Sequence, residues 1–489
     1  MDFKKLTIKK ANELLKKGEV SVSELVKCSI KRVNETEEKI RSFVTILEEE
    51  FLLKKASEMD KKNPKEKARE NLLFGIPYSA KDIFCTEGIR TTASSKILEN
   101  FIPPYESTVT RKLLEKETVL IGKTNLDQFA HGSSTETSFI GPSRNPWDQE
   151  RIPGGSSGGS ATSVSSGQVI FSVGTETAGS IRQPSALCGI VGMKPTYGRV
   201  SRFGVIAMGS SLDCPGPMTK NVEDSAIVLS AIAGKDDLDS TTSMEKVPNY
   251  FRNLNLKSVQ GKKIGVPKLF MNEKIDNVVR EKVWEAIKIL EKLGAKISEI
   301  DLIDPEIAVA VYTVVCRGEV SSNLARFDGV KYGLSEKNSS SIIELMQNSR
   351  EKGFGLEAKR RIMTGTMVLS SEYSERYYKT AQKVRSLFLK NFEQVFEECD
   401  LVVGPTTPDV AIPIGSALEN PLFGELSDIL IVSSSISGLP GISVPVGLKN
   451  NLPIGFQIFG PQFSEQLILD VAYSLDLEFG GFENFSPEV

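Results

Sequence analysis

Between Pro153 and Pro184 the chain reads PGGSSGGSATSVSSGQVIFSVGTETAGSIRQP. Glycine and serine at this density fit either a flexible linker or a tightly packed loop. The flanking sequence decides between them. QVIFSVG is an all-apolar strand, and GSIRQPSALCGIVG turns back into a short helix. Buried flanks weaken the linker reading, and glycines in such a loop let the chain adopt positive φ and let backbone N–H groups approach a ligand closely. The same pattern recurs along the chain. LLFGIPYSAKDIF, Val119-Leu120-Ile121, KKIGVP, CDLVVGP, GISVPVGL and IGFQIFG are short apolar runs. Helical segments separate them, among them one opened by the capping box Ser21-Val22-Ser23-Glu24 and running to about Val33. Strands apolar on both faces belong in a buried sheet. The expected fold is α/β, a mixed central β-sheet covered by helices on both faces. The polar stretch from about Gly234 to Lys262 reads as a surface insertion.

Composition narrows the function. Sixty basic and 63 acidic residues leave a net charge of −3, which argues against an autonomous nucleic-acid binder. The six cysteines, Cys28, Cys85, Cys188, Cys214, Cys316 and Cys399, lie far apart, and there is one histidine, so no metal site is expected. No apolar run is long enough for a signal peptide or a membrane span, which points to the cytoplasm. Gly122-Lys123-Thr124 imitates a phosphate loop, but Glu117 stands where the first glycine belongs.

The chemistry concentrates in two places. Consecutive N–H groups at Thr177, Ala178, Gly179 and Ser180, ahead of a short helix, can form a cradle for an oxyanion. Ser180 is placed to be a nucleophile, although a serine at a helix start is often only its N-cap. A serine nucleophile needs a base. Lys81 lies among apolar neighbours in GIPYSAKDIF. It either snorkels or pairs with Asp82, or it is desolvated and able to accept a proton. Ser156 and Ser157 are both candidates to relay that proton. His131, the lone histidine, is the rival base.

GGSSGGSA followed by GTETAGSIRQPSALCG resembles the amidase signature family, as does Gly75-Ile76-Pro77-Tyr78-Ser79-Ala80-Lys81-Asp82. The resemblance runs from about residue 20 to 475. It implies one unit over residues 1–489, with a helical segment to about 65 and a signature core at about 70–235. The remainder would complete the same sheet and the substrate site. It implies a Ser–cis-Ser–Lys triad in which Lys81 is the base, Ser156 the relay and Ser180 the nucleophile. Thr177, Ala178 and Gly179 would line the oxyanion hole.

Within the family, EVSSNLARFDGVKYG, KRRIMTGTMVLSSEYSERYY and LDCPGPMTKNVEDSA are similar to the glutaminase components of tRNA-dependent Asp/Glu amidotransferases. On that pattern Tyr312, Arg361 (or its neighbour Arg360) and Asp428 hold the polar ends of glutamine. Ammonia would pass to a B subunit, which uses ATP and Mg and binds most of the misacylated tRNA, with a C subunit bracing the pair. This chain would need no cofactor of its own. Two positions depart from the pattern. Ala178 replaces a glycine, which restricts positive φ and crowds the loop, and His131 replaces a methionine. A free-standing amidase of small amides, a catalytically silent scaffold and a His131-dependent hydrolase are the competing readings.

Overall fold

The computed structural model describes residues 2–420 and 422–489. Its centre is one 11-stranded mixed sheet. The strands are β1 Phe43–Ile46, β2 Pro77–Lys81, β3 Val119–Thr124, β4 Phe171–Glu176, β5 Val191–Lys194 and β6 Cys214–Thr219. They continue with β7 Lys263–Pro267, β8 Lys296–Ile300, β9 Leu401–Pro405, β10 Gly441–Lys449 and β11 Leu452–Phe459. The spatial order is β1-β3-β2-β4-β6-β5-β10-β11-β9-β7-β8. β2 runs parallel to both β3 and β4, and β7 runs parallel to both β8 and β9. Every other pairing is antiparallel.

β2, β3, β4, β6, β9 and β11 are buried along their whole length, as their apolar sequences require. The edge strand β8 is mostly exposed and carries Lys296, Ser298 and Glu299, charges and a hydroxyl that blunt an open edge. The capping box at Ser21 forms with both reciprocal hydrogen bonds. Its helix continues to Ile40, further than the sequence pattern indicated. The segment expected as a surface insertion is irregular, but Tyr250 and Val259 drive into the core and anchor it. A layer of helices at Pro305–Leu324, Ile342–Gly353, Leu356–Leu369 and Thr380–Glu398 stands between β8 and β9 in the chain.

The sheet positions the serine loops. The register of β2 on β4 pairs Ala80 with Val173, so Lys81, the last residue of β2, lies beside the final residues of β4 and its Nζ reaches Thr175. Carboxyl ends of parallel strands are the usual place for a ligand in such sheets. The Gly158–Ser165 helix packs on β2, β3, β4 and β6 and is buried throughout. A Cβ at Gly159 would lie 2.4 Å from the Ser42 carbonyl oxygen and 2.5 Å from the Asn125 nitrogen. At Gly174 it would lie 2.9 Å from Ser157 Oγ. These glycines are what the tight fit of a serine-rich helix against the strands demands, and the linker reading is excluded.

Candidate active site

Lys81 is fully buried at the end of β2. Its Nζ donates to Ser156 Oγ at 2.7 Å, to Thr175 Oγ1 at 3.0 Å and to the Thr175 carbonyl at 3.3 Å. It neither snorkels nor pairs with Asp82. Asp82 instead faces Lys123 at 3.6 Å, which also explains the lysine of the false phosphate loop. Burial lowers the Lys81 ammonium from 10.5 to about 7, against the pull of Asp127, Asp213 and Glu176. A substantial neutral fraction at neutral pH makes it a competent base.

Ser156 follows a cis peptide bond from Gly155. Gly154 has φ +82, and a Cβ on Gly155 would lie 2.3 Å from Asp127 Oδ2. The Gly-Gly pair therefore lets the chain turn hard against that carboxylate. Of the two relay candidates, Ser156 is the one that meets Lys81. Ser157 is committed elsewhere, its Oγ donating to the Thr175 carbonyl at 3.1 Å. The Ser157 N–H donates to the Ser180 carbonyl at 3.2 Å and ties the two serine loops together.

Ser180 is not a helix cap. The following helix, Arg182–Cys188, has Ile181 at its N-cap and no side-chain cap bond. Glu176 takes that task. Its Oε2 accepts the N–H groups of Ile181 at 3.1 Å and Arg182 at 3.0 Å, and its Oε1 accepts Arg182 Nη2 at 2.6 Å. The Ser180 hydroxyl is thus left for chemistry. The N–H groups of Thr177, Ala178, Gly179 and Ser180, all in buried residues, donate to no acceptor among the described residues. Buried amides are nearly always paired, and four unpaired ones in succession are free to receive an oxyanion. Thr177 closes the loop at its start, its Oγ1 donating to Asp213 Oδ1 at 2.8 Å. Burial pushes Asp213 up to about 6.

The expected crowding at Ala178 does not arise. Neither Ala178 nor Gly179 has a positive φ, so the methyl is unstrained. Gly179 is glycine for space, because a Cβ there would lie 2.3 Å from Asp428 Oδ1. Asp428 is buried, Oδ2 accepts from Ser133 Oγ at 3.4 Å, and Oδ1 has no partner among the described residues. Burial holds its carboxyl well above the usual range.

Tyr312, on the Pro305–Leu324 helix, lies close enough to Arg361 and Asp428 to feel both charges. Of the two neighbours Arg361 is the more buried, and both line the cavity beside it. Its side chain is 5% exposed against 32% for Arg360. Burial opposes the Arg361 charge, but the carboxylates of Glu425 and Glu357 outweigh it. Arg361 Nε donates to Glu357 Oε1 at 2.6 Å. Arg361, Ser133, His131 and Glu425 line a cavity of about 450 Å³. Ser133 on its wall donates to Asp428, and Asp428 in turn packs against Gly179 of the Ser180 loop.

His131 is buried, and among the described residues neither ring nitrogen has a hydrogen-bond partner and no serine pairs with it. Sequence reasoning missed the supporting carboxylates Asp127, Glu176 and Asp213, along with Thr175. Among the described residues no group of His, Cys, Asp or Glu is arranged to hold a metal ion, and no helix is long and apolar enough to cross a membrane.

Known proteins share this arrangement of sequence and fold. The A subunit of glutamyl-tRNA(Gln) amidotransferase from Caldanaerobacter subterraneus subsp. tengcongensis is 50% identical over 97% of both chains. Its counterpart from Sulfurihydrogenibium sp. is 48% identical over the full length of both. The crystal structure of the Thermotoga maritima counterpart superposes with a TM-score of 0.81 at 38% identity, covering 100% of this chain and 98% of that one. The peptide amidase of Stenotrophomonas maltophilia superposes with a TM-score of 0.84 at 26% identity over 98% of each chain. The family model described as Amidase matches residues 24–469, and the chain belongs to the amidase family.

Proposed function

We propose that this chain is the glutaminase component of a tRNA-dependent amidotransferase. The observation that carries the reaction is the buried Lys81–Ser156 hydrogen bond of 2.7 Å beside a loop with four unpaired amides. Ser180 Oγ attacks the side-chain carboxamide carbon of glutamine. Ser156 takes the hydroxyl proton and passes its own to neutral Lys81. The oxyanion settles among the N–H groups of residues 178–180, where each such donor is typically worth about 3 kcal/mol. The lysine proton returns through Ser156 to the departing ammonia. Water then hydrolyses the γ-glutamyl ester by the same route in reverse.

Most of the groups suited to a free amino acid come from the second half of the chain. The unpartnered Oδ1 of Asp428 is a buried acceptor for an α-ammonium. Arg361 keeps guanidinium N–H groups for an α-carboxylate after binding Glu357. Tyr312 lies near both. The names of the relatives support the wider role. Ammonia passes to a B subunit braced by a C subunit in the cytoplasm. With ATP and Mg, that B subunit converts Glu-tRNA(Gln), Asp-tRNA(Asn) or both to the amidated forms.

The test is ammonia release from glutamine by the chain, alone and with B and C subunits, ATP and Glu-tRNA(Gln), beside Ser180→Ala. Release that requires Ser180 and rises with the partners supports the reading. Release from simple amides, indifferent to partners, would favour a free-standing amidase. No release that depends on Ser180 would leave a scaffold.

A further inference from the structure

One wall of the cavity next to Arg361 has no part in the chemistry above. His131 is buried in it with both ring nitrogens unpartnered. A neutral imidazole always carries one N–H donor and one acceptor nitrogen. Burying such groups without partners costs on the order of 1–3 kcal/mol each. A histidine serving only the core would be satisfied by the protein around it.

The loop is built to hold this ring in place. The His131 N–H donates to the Gln128 carbonyl at 2.9 Å, and its carbonyl accepts Thr137 Oγ1 at 3.3 Å. The preceding Phe129 and Ala130 have φ of 51° and 62°, a left-handed conformation that costs energy for residues with a Cβ. The Phe129 ring lies 6.2 Å from the imidazole, centroid to centroid. Asp127 pins the far side by accepting the N–H groups of Ser134 at 3.1 Å and Thr135 at 2.8 Å. Burial and the nearby Arg361 charge both keep the ring neutral. A neutral N–H donor beside a buried guanidinium is suited to an anionic oxygen that binds both.

We propose that His131 determines substrate specificity by donating one ring N–H to the α-carboxylate that Arg361 clamps. This rests on the glutaminase reading and extends it. Two donors of different geometry on one carboxylate discriminate against amides that lack it.

His131 is the only histidine in the chain, so ring ¹⁵N labelling gives a single-residue NMR signal. In the Ser180→Ala chain, glutamine should shift one ring nitrogen. 4-Aminobutanamide, which keeps the amide and the amine but lacks the carboxylate, should not. In the active chain, His131→Phe should raise KM for glutamine about tenfold, the loss of one hydrogen bond to a charged group. Its kcat should stay within about twofold, and turnover of 4-aminobutanamide should not change. His131→Gln, which restores an N–H donor, should recover part of the loss. Glutamine binding without a ring shift, or equal losses on both substrates in His131→Phe, would overturn the proposal while leaving the glutaminase reading intact. Failure of the Ser180→Ala chain to bind glutamine at all would overturn that reading and the proposal together.

Discussion

Lys81→Met keeps the length of the side chain and removes its charge, and the consequence for stability has a definite sign. Lys81 is fully buried, and burial lowers its ammonium from 10.5 to about 7. That displacement corresponds to roughly 5 kcal/mol by which the folded chain disfavours the protonated lysine. Below about pH 7 the ammonium is present in both folded and unfolded chains, and the native state carries the whole penalty. Between about 7 and 10.5 the unfolded chain still binds the proton and the folded chain does not, so wild-type stability falls further behind that of a neutral side chain as the pH drops through this window only until the folded lysine is itself protonated. Relative to methionine, then, the wild-type chain is penalised by the cost of either losing the proton or burying it.

 Methionine carries no such penalty at any pH. Against this, the three Nζ hydrogen bonds disappear, at roughly 1 kcal/mol each. Lys81→Met is therefore expected to be inactive and to be more stable than wild type by about 2 kcal/mol at or below pH 7. Above that, wild-type stability rises with pH, and the advantage of the variant should shrink by roughly a factor of ten in the folding equilibrium per pH unit, reversing near pH 8 to 9. Parallel urea titrations of the two proteins by tryptophan fluorescence at several pH values measure the gap. A gap that stays constant across the range would refute the argument that burial of this lysine sets its proton affinity.

Three further outcomes follow from the same geometry. The value of kcat/KM for glutamine should plateau above about pH 7 and fall about tenfold per unit below it, because the base must be neutral; a flat profile down to pH 5 would contradict this. Gly179→Ala should raise KM for glutamine at least about tenfold, because its Cβ would lie 2.3 Å from Asp428 Oδ1 and displace that carboxylate; unchanged KM would mean that Asp428 does not touch substrate. Arg182→Met should cost about 3–5 kcal/mol by orphaning the buried Glu176 carboxylate, and adding Glu176→Gln should recover part of it, as measured by the shift in urea midpoint.

The catalytic half of the site was legible in the sequence for a specific reason. Lys81 in an apolar strand and serines in a glycine cradle each violate an ordinary expectation of folding. Neither violation has a cheap structural explanation. The strands were legible because a buried sheet needs uninterrupted apolar runs. The helices of residues 305–398 were not read from periodicity. Leu356, Met363 and Met367 stand exposed on one of them, which blurs the contrast between faces on which that reading depends. The supporting carboxylates were invisible for another reason. Glu176 caps a helix six residues away, and Asp127 and Asp213 hold loops in place. Nothing in a local pattern distinguishes such residues from solvated acids. Ala178 shows the converse limit. The sequence flagged a backbone restriction, but the demand at this loop is for room beside Asp428, and it falls on residue 179.

The division of labour along the chain has a consequence of its own. Lys81, Ser156 and Ser180 come from one contiguous stretch of strands and serine loops, whereas Tyr312, Arg361 and Asp428 come from the later helices and the segment before β10. On the proposed function, the proton route and most of the groups that hold the substrate's polar ends are thus inherited on separate pieces of sequence. Drift in the later piece can redirect the fold to a new amide while the proton route stays fixed.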